Sequence, residues 1–127
     1  MGLRADERHD YLSVELSDRN DTVQAMVDAS PGPWWGFNGV TTLAVSQQRL
    51  WLSRSRLARS PELRRFELSD VEVLRWHARR AIARNGAGRV ITFRLRLGDH
   101  VHRFAAADRG AATRFLTTLR ERLARSA

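Results

Sequence analysis

The spacing of apolar and polar residues changes once along this chain. As far as about residue 106 the apolar positions alternate with polar ones in short runs; from Asp108 onward they recur every three to four residues. VITFRLRL (90–97) is the clearest alternating run, with Ile91, Phe93, Leu95 and Leu97 on one face and Thr92, Arg94 and Arg96 on the other. Gly98-Asp99 predicts a short turn, and HVHRFAA (100–106) a returning strand. VTTLAVS (40–46) and RLWLSRS (49–55) are separated only by Gln47-Gln48, which predicts a tight hairpin. Thr41, Leu43 and Val45 share a face in the first arm; Leu50 and Leu52 oppose Trp51 in the second. No Gly or Asn marks a primed turn between them. LARSPE (57–62) is expected to be a loop. LRRFEL (63–68) and VEVLRWHA (71–78) are expected to be strands joined at Ser69-Asp70, and 79–89 a hairpin loop broken at Asn85-Gly86.

The ends of the chain read differently. From Asp108, the residues Ala112, Phe115, Leu116, Leu119 and Leu123 form one helical stripe, with Asp108 as N-cap and Arg120, Arg122 and Arg125 toward the negative end of the dipole. Residues 22–28 fit two periods: Val23, Ala25 and Val27 alternate as in a strand, while Val23, Met26 and Val27 share one face of a short helix. Residues 1–20 are polar, and Leu12, Val14 and Leu16 alternate while Leu12 and Leu16 also share a helix face. They are read as a loosely attached N-terminal extension to a single domain, 21–127. Pro31 and Pro33 end the segment before SPGPWWGFNG (30–39), a turn-rich stretch carrying Trp34, Trp35 and Phe37.

Six or seven short antiparallel strands followed by one amphipathic helix predict a mainly β (α+β) fold. Its sheet must curl or split into two layers, with the C-terminal helix plugging the open end. Four segments then carry a family resemblance: LAVSQQRLWLSRS, FELSDVEVLRW, VITFRLRLGDHVHRF, and the helix containing Phe115-Leu116-Thr-Thr-Leu119. In this order they resemble the small bacterial pleckstrin-homology-like domains related to GRAM domains. The matching turns are Ser46-Gln-Gln-Arg49-Leu50-Trp51-Leu52 and Glu67-Leu68-Ser69-Asp70-Val71, and the resemblance spans roughly 20–125. It implies a PH-like split barrel and a non-enzymatic binding module, since such domains bind phosphoinositides or proteins and some self-assemble. Phosphoinositide-binding members place basic residues in the loop after the first strand. Here that loop is SPGPWWGFNG, which holds no Lys or Arg and so turns the expectation away from headgroup binding.

Composition narrows the classes further. The 127 residues suit one domain with its own core. The absence of cysteine excludes disulfides, thiol catalysis and Cys-based zinc sites. All 22 basic residues are arginine and the net charge is +8, which favours acidic partners. The charged N-terminus lacks the apolar segment of a signal peptide, and no apolar run approaches the ~20 residues of a membrane span. A cytoplasmic location is therefore expected, with a place at the inner face of the membrane as an option.

No GxSxG, HExxH or P-loop pattern is present, so catalysis, metal and cofactor are not expected. His100 and His102 share a strand face, but no third metal ligand follows at a fixed spacing. Arginines gather at Arg54, Arg56 and Arg59, and again at Arg79, Arg80, Arg84 and Arg89. In a PH-like barrel the loops after strands one, three and six lie at one end. That end should carry the aromatic loop, the first arginine group and the Gly98-Asp99 turn. The candidate binding residues are thus Trp34, Trp35, Phe37, Arg54, Arg56 and Arg59. Four roles stay open for the tryptophans: packing in the protein's own core, anchoring a protein partner or second copy, wedging into an anionic membrane, and stacking on nucleic-acid bases. The expected function is protein association or self-assembly through this loop, with anionic membrane or nucleic acid as alternatives.

Overall fold

A computed structural model of the chain describes residues 5–31, 41–56, 59–83 and 86–126; those at 5–6, 31, 55–56, 59–61, 77–83, 86–90 and 126 are described by their backbone alone. The order of elements is α1 (Ala5–Asp18), β1 (Val23–Pro31), β2 (Thr41–Ser46), β3 (Arg49–Arg56), β4 (Arg59–Glu67), a 3-10 turn (Leu68–Asp70), β5 (Val71–Ala83), β6 (Gly86–Leu97), β7 (His100–Ala106) and α2 (Arg109–Ser126). All seven strands belong to one antiparallel sheet, in the order β4-β3-β2-β1-β7-β6-β5. The sheet is not closed, because β4 and β5 are both edges. It curls at β1, which pairs with β2 over most of its length but with β7 only at Ser30 and Pro31.

The concave side holds the main core. Leu43, Val45, Leu50, Phe93, Leu95, Phe104 and Ala106 meet the stripe Ala112, Phe115, Leu116 and Leu119 of α2 there. Phe93 stacks on Phe104 with ring centroids 5.3 Å apart and tilts against Phe115 at 6.3 Å. The expected cap is in place, since Asp108 Oδ1 accepts the Ala111 N–H at 3.0 Å. At its other end α2 lays Arg120 over Trp76, 4.1 Å from the ring centroid.

Several local expectations change. The N-terminal segment is a helix with Leu12 and Leu16 fully buried, and it packs on the convex side of β1–β4 against Ala44, Trp51, Val23, Met26 and Leu63. Two leucines one turn apart, and little else, make that apolar face, so its sequence signal is faint. The helix closes with Asn20 at φ 56°. The Asn20 N–H donates to Ser17 O and the Asp21 N–H to Leu16 O, the paired bonds of a left-handed C-terminal cap.

The double reading of 22–28 has a cause: a register shift between Val23 and Ala25. Val23 and Met26 face α1, while Ala25, Val27 and Ala29 face the main core. Of the expected loop 57–62, residues 59–62 are strand and 57–58 lie outside the described residues; Pro61 is tolerated because β4 is an edge. Within the expected loop 79–89, residues 79–83 and 86–89 instead continue β5 and β6, paired as far as Ala83 and Gly86, and 84–85 lie outside the described residues. β7 pairs with β6 only from Ile91, so this hairpin runs on past β7 as a two-stranded ribbon. The Gln47-Gln48 turn needs no glycine because Ser46 Oγ accepts the Arg49 N–H at 3.0 Å.

Candidate functional site

Alternation puts Thr41, Leu52, Arg54, Glu62 and Arg64 on the concave side of β2–β4. Thr41 lies opposite Arg54, Arg54 opposite Glu62, and Leu52 opposite Arg64. α2 fills the concavity near Val45 and Leu50, and β7 crosses the remainder with His102 and Phe104. These seven residues enclose a hollow of about 220 Å³. Leu52 and Phe104 supply apolar wall; Arg54, Glu62, Arg64 and His102 bring charge or titratable groups to it. Phe104 is buried and Arg54 and Arg64 are exposed, so the hollow is apolar at depth and basic at its mouth.

Electrostatics tune one group. The His102 ring is pushed below the usual imidazole value of 6.5, first by burial and then by the neighbouring Arg64 and His100. Its ring stacks against Phe104 with centroids 6.2 Å apart, and Arg64 lies 5.4 Å over Phe66. The neutral imidazole and the neighbouring Arg64 guanidinium favour an anionic or aromatic guest over a cation. Among the described residues no three His, Asp or Glu side chains converge as metal ligands.

The arrangement gathers part of the expected site. Pro31 pairs with Phe104, and Thr41 with Arg54, so the residues that flank 32–40 both pair with residues lining the hollow. Trp34, Trp35 and Phe37 themselves lie outside the described residues. Arg54 stands at the mouth. Arg56 pairs with Arg59 at the tip of the β3–β4 hairpin, where only their backbones are described. The Gly98-Asp99 turn meets the 3-10 turn that follows β4, the Gly98 N–H donating to Asp70 O at 2.9 Å.

Glu62, Arg64, His102 and Phe104 were missed as site residues. Pro61 put Glu62 in the expected loop 57–62, whereas Arg64 fell in the expected strand 63–68 with nothing in the sequence to bring it beside His102.

A second cluster of polar side chains lies beneath α1. Asp21 is buried; its carboxylate accepts Ser46 Oγ at 2.6 Å, Trp51 Nε1 at 3.0 Å and the Thr22 N–H at 3.1 Å. Asp28 accepts Thr42 Oγ1 at 2.6 Å and Arg8 at 3.2 Å, with His9 Nε2 at 3.1 Å. Aspartate stands between threonine and histidine here, so His9 has no route to activate the Thr42 hydroxyl, as a hydrolase triad requires. These groups clamp α1 to β1. Among the described residues no helix is long and apolar enough to cross a membrane. In comparisons with family models, curated proteins and solved structures, nothing matches this chain.

Proposed function

We propose that this chain is a non-catalytic PH-like binding module whose open end, around the hollow, associates with a second copy of itself. The observation that carries this is the place of the two residues flanking the aromatic segment, Pro31 paired with Phe104 and Thr41 with Arg54, at the walls of the hollow. Trp and Arg dominate the energetics of protein contacts, because a desolvated ring and a bidentate guanidinium each give much binding per residue. Trp34, Trp35 and Phe37 act as anchor, and Arg54, Arg56 and Arg59 as the basic rim, with acidic residues of the opposing copy as their complement.

Light-scattering mass tests the reading. The wild type should weigh more than one chain, and Trp34→Ala/Trp35→Ala should weigh one chain while keeping its circular dichroism. A wild type that stays at the mass of one chain at high concentration would refute self-association. Pelleting with anionic vesicles that the same double substitution abolishes would instead assign the segment to a membrane surface.

A further inference from the structure

The convex side of β5–β7 carries a feature that assembly at the open end does not use. Arg75 lies directly opposite Arg94, and Arg94 directly opposite Arg103. Residues paired this way share a face, and Phe93 and Phe104 point into the core, so the three arginines form one outward row across three strands. Like charges directly opposed on a sheet are destabilising. Among the described residues no carboxylate pairs with any of the three. In the next row Glu72 is held by Arg96 at 3.2 Å, and Arg96 also donates to Gly98 O at 2.8 Å.

The charge is concentrated on this part of the chain. Residues 71–106 hold eight arginines against Glu72 and Asp99, a net +6, whereas residues 1–70 hold nine arginines against ten carboxylates. Arg75 and Arg103 are exposed, and neither helix covers this face among the described residues.

We infer that the convex face of β5–β7 is a docking surface for the phosphate backbone of duplex nucleic acid, with Arg75, Arg94 and Arg103 as the contacts. Charge complementarity selects a polyanion. The row spans about 10 Å of backbone, and one duplex strand presents about three phosphates over that length of axis. The described residues of this face include no aromatic ring, so it offers no platform for the unstacked bases of a single strand. Its exposed apolar residues are Val101 and the neighbouring Leu74, too little to wedge into a bilayer. The β5–β6 ribbon continues beyond the row with Arg79, and with Arg80 opposite Arg89, a two-stranded shape that a major groove admits. Phosphate contact is sequence-independent, so binding is expected to be general.

Fluorescence anisotropy of a labelled mixed-sequence duplex, titrated with the full chain over a range of salt, tests this. The wild type should bind, and each single Arg→Gln substitution at 75, 94 or 103 should lower the salt slope by about one. The triple Gln variant should lose the contribution of three phosphates, about 40-fold of the weakening between roughly 50 and 200 mM salt. The triple Lys variant should keep the wild-type slope, which separates charge from fold, and thermal unfolding of each protein checks that it is folded. Absence of duplex binding at low salt overturns the inference, as does a folded triple Gln variant with the wild-type slope. Vesicles of phosphatidylserine and phosphatidylcholine form a parallel arm. Row-dependent pelleting without duplex binding would mean a membrane surface and would also overturn it. Trp34→Ala/Trp35→Ala removes none of the three arginines and the triple Gln variant keeps both tryptophans, so failure at the open end and failure here are read separately.

Discussion

The two convex faces of this sheet are built from the same pleat but carry opposite chemistry. Over β1–β3 the outward positions are Met26, Thr42, Ala44, Ser46 and Trp51, and α1 covers them. Three of the polar side chains there are paired through two aspartates: Trp51 Nε1 and Ser46 Oγ share Asp21, and Thr42 Oγ1 reaches Asp28. Over β5–β7 the outward positions are Glu72, Arg75, Arg94, Arg96, Val101 and Arg103; Glu72 is held by Arg96, and among the described residues no carboxylate pairs with the row of three arginines. One face has been satisfied from within the chain, at the cost of ordering an extra helix. The other keeps a repulsion that an external anion removes. A face whose charges are compensated internally serves stability; one left uncompensated is available for binding.

Substitutions should break this contrast in opposite directions. The largest effect is expected at Trp51, fully buried beneath α1. Trp51→Ala should cost about 3–5 kcal/mol, as truncation of a large buried aromatic does, and it also strips Asp21 of a donor. Denaturant unfolding measures it, and a cost below about 1 kcal/mol would show that α1 contributes little to the fold. Next is Leu16→Ala, whose side chain is likewise fully buried, with an expected loss of about 2–4 kcal/mol. Faster hydrogen exchange in 5–18, with the β6 amides unchanged, would locate that loss at the helix.

A pH series sharpens the comparison at the concave hollow between the two faces. The folded state holds His102 below its ordinary pKa of 6.5, so the unfolded chain takes up the proton first. This contribution to stability is complete well above pH 6.5 and is lost as the pH falls from there through the lower folded value. His102→Gln should flatten that part of the stability profile relative to wild type, and an unchanged slope would place the imidazole in open solvent.

The smallest effect has the reverse sign. Arg94→Gln removes the central charge of the row and should raise stability by about 0.2–1 kcal/mol in low salt, a gain that shrinks as salt is added. A loss of stability on Arg94→Gln would mean that the row is neutralised within the chain.

Much of the fold was legible because strand and helix periods are local. Ile91, Phe93, Leu95 and Leu97 point inward as their alternation requires, Trp51 points away from Leu50 and Leu52, and Asp108 caps the helix whose stripe it precedes. Less of the site could be read. Arg54 was identified and stands at the mouth of the hollow, but its companions Glu62, Arg64 and His102 come from strands eight or more residues away. The arginine row was visible only as three unrelated residues, because register, not spacing, sets 75 opposite 94 and 94 opposite 103.

The sequence by itself determined the periods, the change from strand to helix at Asp108, the inward faces of most strands, and a strong positive charge borne entirely by arginine. Those features depend on neighbours a few positions apart, which the chain states directly. Tertiary structure alone decided that residues 5–18 cover one convex face, that a shifted register at Val23 serves two cores, that the β6–β7 turn meets Asp70, and that three arginines line up on the uncovered face. Each of these depends on how far a curled sheet carries one strand across another, and that curvature is set by packing over the whole molecule.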